Sequence, residues 1–134
     1  MATFSHVEAA ESLWYPNLAA NAHITPEEGV LSSKAPYTGS DKVEVGNGSF
    51  LHAANIGLLT LKTHPKPLSL NYALHVPQLK HNLLSIRGLC RDNDCHVKCN
   101  GSCFSVKENT TGKVLLQAPS TGNLYLVSLI PTHG

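Results

Sequence analysis

Short runs of alternating apolar and polar residues, cut by glycine and proline, fill most of the 134-residue chain. Beyond the first 15 residues, ten glycines and eight prolines leave no stretch longer than about a dozen residues without a breaker, which predicts strands joined by turns. Residues 42–53, KVEVGNGSFLHA, read as a hairpin with a glycine-flanked tip. Residues 55–63 and 68–76 are apolar-alternating strands, separated by HPKP, which neither a helix nor a central strand tolerates. CHVKCNGSCFSVKE (95–108) is a second hairpin, and 113–118 and 123–130 are further strands. Only 81–93, HNLLSIRGLCRDN, predicts a helix, with Leu83, Leu84, Ile86, Leu89 and Cys90 on roughly one face. Residues 6–13 hold at most a helical turn. In WYPNLAANAHIT (14–25) an apolar strand leads into a turn and a His-Ile-Thr exit. Its centre, Asn17-Leu18-Ala19-Ala20, has no glycine and puts Leu where turns take Ser, Asp or Gly. No internal repeat or low-complexity tract is present. The fold class is mainly β, a small barrel closed by hairpins, with one short helix.

Composition narrows the function classes. The length fits one domain, which buries roughly two-thirds of its unfolded surface and folds without staples. Apolar residues make up 42% and charged residues 14%, the balance of a compact β-rich domain or an oligomer subunit. A net charge of +1 gives no footprint for nucleic acid and no basic patch for an anionic membrane, so neither partner is expected. The first residues lack a basic segment followed by an apolar core, and no run approaches 18 apolar residues. The expected location is therefore intracellular, cytoplasmic or nuclear. Asn47, Asn100 and Asn109 head N-x-S/T sequons, which in that setting are turn chemistry rather than glycan sites.

Residue clusters with chemical potential are few. Cys90, Cys95, Cys99 and Cys103 are spaced C-x4-C-x3-C-x3-C, without the C-x2-C knuckles of a tetrahedral zinc site. With Asn100-Gly101 as a two-residue turn, Cys99 faces Ser102, Lys98 faces Cys103, and Cys99 and Cys103 point to opposite faces. Reduced thiols are expected, with no metal and no disulfide. The eight histidines, at 6, 23, 52, 64, 75, 81, 96 and 133, are scattered singly and form no H-x-x-x-H or H-E-x-x-H motif. A Cys–His nucleophilic pair meets only in space, so the sequence leaves that route open. Gly46-Asn47-Gly48 is followed by no helix and no Lys-Ser/Thr, so it is a hairpin tip rather than a phosphate loop; it fits a lid or an ordinary turn equally well.

Four collinear stretches resemble one family, the aspartic-protease domain of copia-type retrotransposon polyproteins in plants. Trp14, Tyr15, Ala20, His23, Ile24 and Thr25 match its W-Y-x-D-[ST]-G-A-[ST]-x-H-[IVM]-T. YTGSDKVEVGNGSFL resembles Y-x-G-x-D-x-V-x-V-G-N-G-x-x-L, and LHVPQLKHNLLSIRGLCRDNDC resembles L-x-V-P-x-L-x-x-N-L-L-S-V-x-x-L-x-x-D-N. TGKVLLQAPSTGNLYLV resembles T-G-x-x-L-L-x-G-x-x-x-G-x-L-Y-x-L, so the resemblance spans roughly residues 14 to 127.

The resemblance implies a closed retropepsin-like β-barrel over 14–130, with an N-terminal arm at 1–13 and a C-terminal tail at 131–134. It also implies a homodimer in which each copy gives one Asp from the turn, and a flap hairpin that closes over a peptide. Asn17 stands at the Asp position, Leu18 at Ser/Thr and Ala19 at Gly. Two carboxylates sharing a proton are what make that chemistry work, and a carboxamide does not titrate near neutral pH. Leu18 lacks the hydroxyl that would tie two loops together across a dimer, and Ala19 brings a Cβ to a close approach. The expected function is a catalytically inactive, retrotransposon-derived module for binding peptide or protein, or for oligomerisation, with no cofactor. Its expected contact residues are Asn17, Ala20, Gly46, Asn47, Gly48 and Leu84. The alternative is a residual or reassigned peptidase, aspartic by ancestry or built on Cys and His.

Overall fold

The computed structural model describes residues 12–40, 42–44, 48–63, 66–121, 124–125, 127–129 and 131–132. Strands β1 (Ser12–Asn17) and β2 (His23–Thr25) flank the Asn17 turn, and a 3-10 turn at Glu28–Val30 leads into β3 (Ser32–Pro36). The hairpin β4 (Lys42–Glu44) and β5 (Phe50–His52) follows, then β6 (Asn55–Leu61), β7 (Leu68–His75) and β8 (Asn82–Ser85). Helix α1 (Ile86–Asn93) precedes β9 (Cys95–Cys99), β10 (Cys103–Glu108), β11 (Val114–Thr121), β12 (Leu124–Tyr125), β13 (Val127–Leu129) and β14 (Pro131–Thr132).

The main sheet runs β13-β1-β8-β2-β7-β6-β14, with β3 also paired to β6. Its two ends, β13 and β14, are one residue apart in the chain, so the sheet curls until its ends approach. No ladder joins them among the described residues, so the structure is mainly β with one α-helix rather than a ring closed by hydrogen bonds. Pairing extends past 14–130 at both ends: Ser12 and Leu13 oppose Leu129 and Ser128, and Pro131 and Thr132 oppose Leu61 and Thr60. The residues proposed for a helical turn, 6–13, lie outside the described ones up to 11, and 12–13 are strand.

β1 and β2 are neighbours in sequence, yet β8 lies between them, parallel to β1 (Asn17 opposite Ser85) and antiparallel to β2 (Ile24 opposite Leu83). The turn 18–22 therefore crosses the end of β8. A buried hydrogen-bond chain ties the three strands: Thr25 Oγ1 donates to Asn82 Oδ1 at 2.6 Å, and Asn82 Nδ2 donates to the Leu13 carbonyl at 3.0 Å. Asn82→Leu leaves both partners without their bond and is expected to cost about 2–3 kcal/mol. Urea unfolding followed by the fluorescence of Trp14, the single tryptophan, measures it; a cost below about 0.5 kcal/mol would show that the chain does not hold the strands.

The predicted helix 81–93 is corrected at its start. Asn82–Ser85 is strand, because those residues ladder with β1, and the helix begins at Ile86. Ser85 is its N-cap, accepting from the Gly88 N–H at 3.0 Å, and Asp94 ends it in the left-handed region (φ 49). Within the predicted strand 123–130, Leu124–Tyr125 (β12) continues the β9–β11 sheet and Val127–Leu129 (β13) joins β1. In the second hairpin Cys99 opposes Phe104 and Lys98 opposes Ser105, two residues from the predicted register. The cause is an Asx turn in which Asn100 Oδ1 accepts from the Ser102 N–H at 2.8 Å. An even shift preserves faces, so Cys99 and Cys103 still point opposite ways.

Two cores result. The larger gathers Trp14, Leu59, Leu61, Leu68, Leu70, Leu84, Leu89, Phe104 and Val106. The smaller, Ala22, Ile24, Leu74 and Val76, is met by Tyr37, Val43, Leu51, Tyr72 and Leu83. Its partners from β4 and β5 seat the hairpin over this end of the sheet. Gly57 lets β3 approach, since a Cβ there would lie 2.9 Å from the Ser32 carbonyl oxygen.

Candidate functional site

A groove of about 470 Å³ opens where the Asn17 turn faces β4. The turn supplies Asn17, Ala19, Ala20, Asn21 and Ala22, and β4 supplies Lys42, Val43 and Glu44. Ile24, Tyr72, Leu74 and Leu83 form the remaining wall. The surface is mostly small or branched apolar side chains, with amides at one rim and a Lys/Glu pair at the other, the composition of a site for a partly apolar chain.

The turn is held without glycine by side-chain capping. Asn17 Oδ1 accepts from the Ala19 N–H at 2.8 Å and the Ala20 N–H at 3.0 Å. A carboxylate oxygen would accept the same two bonds, so Asn keeps the shape of the turn while removing a titratable group. Asn17-Leu18-Ala19-Ala20 is thus a poor turn by composition and an adequate one by this Asx geometry. Leu18 stands outward, 71% exposed.

Ser85 anchors the turn from below. Its Oγ donates to the Ala20 carbonyl at 2.7 Å and accepts from Gly88, while its N–H donates to His23 Nδ1 at 3.0 Å. At the rim, Arg87 Nη1 donates to Asn21 Oδ1 at 3.1 Å. His23 is fully buried, and burial lowers its pKa from 6.5 to about 4, Asp92 opposing the shift and Arg91 adding to it. The ring is therefore neutral near pH 7. Because Nδ1 accepts, the proton sits on Nε2, which has no hydrogen-bond partner among the described residues.

Of the predicted contact residues, Asn17 and Ala20 line the groove. Gly48 lies at the hairpin tip with φ 85, and Gly46 and Asn47 fall outside the described residues. Leu84 does not line the groove: it is fully buried in the larger core, and strand alternation turns Leu83 to the groove instead. The sequence reading missed Leu83, Tyr72, Leu74, Ile24 and Val43. For Leu83 the signal was present, since reading 82–85 as strand fixes which of two adjacent leucines faces each side.

No cysteine or histidine lines the groove among the described residues. Burial raises the Cys90 thiol and pushes Cys95 up to about 12, so both stay protonated and weakly nucleophilic. Cys103 is shifted the other way by hydrogen bonds from Ser105 and then Gln117, on the β10–β11 sheet away from the groove. Among the described residues no group of three or more His, Cys, Asp or Glu is placed to hold a metal ion, and no helix is long and apolar enough to cross a membrane.

The chain is a mainly β domain in which one strand threads between the two arms of a turn, with a hairpin over that turn. Residues 14–95 match the family described as Pol polyprotein, beta-barrel domain, and the chain belongs to that family. It is 38% identical over 112 residues to the retrovirus-related Pol polyprotein from transposon RE1 of Arabidopsis thaliana, covering 84% of this chain. The corresponding RE2 polyprotein is 37% identical over 112 residues, again 84% of this chain, and that from transposon TNT 1-94 of Nicotiana tabacum is 35% identical over 92 residues, 66% of it. The chain spans only 8% of the length of the RE1 and RE2 polyproteins and 7% of the tobacco one. No solved structure matches.

Proposed function

We propose that this Pol-derived domain is a retropepsin-like barrel that no longer cuts, and that its groove holds an extended peptide or protein segment. The observation that carries the reading is Asn17. Its amide oxygen takes both backbone N–H bonds of the turn, so the loop keeps its shape with no acid at its centre. The single carboxylate among the described groove residues, Glu44, is on the hairpin rather than the turn, so no carboxylate pair can share a proton there. The apolar wall then supplies holding without chemistry.

A peptide array tests this with Val43→Arg as the variant. Val43 packs from the hairpin, outside the main sheet, so a charged side chain there obstructs the groove and leaves the barrel's own ladders in place. Wild type is expected to retain a subset of peptides, and Val43→Arg to weaken that retention by about tenfold or more, since an apolar contact is replaced by a charge needing water. Equal retention by both proteins would place binding elsewhere.

A further inference from the structure

His23 has a feature that its structural role does not require. Its neutral ring accepts at Nδ1, so the next proton has one place to go, and that place is the acceptor of the Ser85 N–H bond. Once Nδ1 is protonated, two donors face each other at 3.0 Å and the bond is lost. Ser85 carries three of the contacts around the turn: its N–H donates to His23 Nδ1, its Oγ accepts from Gly88 to cap α1, and the same Oγ donates to the Ala20 carbonyl.

We propose that His23 is a proton-operated latch beneath the groove, whose imidazolium form lets go of Ser85 and so frees the turn 18–22 from the end of β8. The ring is fully enclosed, and Gly88 packs on its Nε2 side, where an added Cβ would lie 3.0 Å from Nε2. The charged groups acting on the ring are both on α1: Asp92 favours the imidazolium and Arg91 opposes it. Ala73, its register partner on β7, and Ser85 on β8 carry no charge. Asp92 is committed to the Asn71 N–H at 3.1 Å and to Arg91 Nε at 3.2 Å, so it does not supply a new acceptor for the ring. The movable part is therefore the turn, half-exposed and held through Ala20, rather than the sheet. That the loosened turn releases a bound segment rests on the peptide-groove reading; the latch does not.

Amide hydrogen exchange resolved by residue, with intrinsic rates corrected, tests the latch on the intact chain between pH 7 and the titration of His23 near 4. Protection of the Ser85 amide and of residues 18–22 is expected to fall by about tenfold or more across that range, while β7 amides stay protected. The midpoint should coincide with that of the His23 ring signals in the same samples. His23→Asn, which keeps an acceptor near the Nδ1 position and does not titrate, is expected to flatten the response. Unchanged protection of Ser85 and 18–22 through the ring titration overturns the proposal, and so does simultaneous loss at β7, which signals global unfolding. Peptide retention followed in parallel separates the two readings: a latch that opens in a protein retaining no peptide at any pH leaves the latch standing and removes the groove function.

Discussion

Asn17→Asp alone is expected to give no measurable peptide cleavage, while Asn17→Asp combined with Leu18→Ser and Ala19→Gly gives slow cleavage at acid pH. The single change restores a carboxylate in a good position, because the Ala19 and Ala20 N–H groups already point at that oxygen. Those two bonds stabilise the charged form, so an isolated Asp there is an anion with no proton to give. A working dyad needs a second carboxylate sharing the proton, and the retropepsin reading takes it from a second copy of the chain. Leu18, standing outward, offers no hydrogen bond to such a copy, and Ala19 keeps a methyl group in the groove. The triple variant removes both obstacles. Its activity should be at least about 10²–10⁴ times that of the single variant, the range general acid–base catalysis contributes. On the retropepsin reading, in which two copies make one site, it should rise faster than linearly at low protein concentration. Mass spectrometry of a peptide mixture after long incubation reads the result. Equal rates for single and triple variants would show that Leu18 and Ala19 do not suppress the chemistry.

The second large effect is on stability in acid. His23 binds a proton near 6.5 when unfolded and only near 4 when folded, so the unfolded chain gains protons first as the pH drops. The contribution is complete above pH 6.5, declines by about 1.4 kcal/mol per unit below it, and levels off near 4 after a loss of about 3 kcal/mol. Glu28 and Glu108 are held below the ordinary carboxylate range by hydrogen bonds from Lys34 and Lys66, so their losses begin only at the acid end of that window. Urea unfolding of wild type and His23→Asn at about pH 7, 6, 5 and 4, followed by Trp14 fluorescence, separates the histidine from the carboxylates. A wild-type stability flat from about pH 7 to 5 would mean that His23 is protonated in the fold.

The legible parts of the chain were those decided locally. The β4–β5 and β9–β10 hairpins follow from turn residues between alternating runs, and the breaker at HPKP separates β6 from β7. Asn82–Ser85 was not legible from periodicity, because Leu83, Leu84 and Ile86 suit either a strand or a helix face. Tertiary pairing with β1 decided it, and the local clue was Ser85, a good N-cap one residue before the true helix start. Strand β3 was missed because Ser33 adopts a positive φ of 51 at a bulge and Pro36 ends the run. That β12 pairs with β11 while β13 pairs with β1 is a tertiary outcome that no local pattern records. At the site, the altered positions 17 to 19 were legible as chemistry, whereas the groove wall was not. Tyr72, Leu74 and Val43 come together only because β8 threads between β1 and β2 and the hairpin folds back over them.

Holding without cutting is the central claim, and one measurement addresses both halves of it. The purified chain is incubated with a random peptide library at about pH 6, where His23 is neutral and the latch closed, and the protein fraction from a sizing column is analysed by mass spectrometry. A set of intact peptides, enriched in apolar residues, is expected to travel with wild type and to be depleted with Val43→Arg. A protein fraction carrying no peptide, or a library cut at defined bonds, would contradict it.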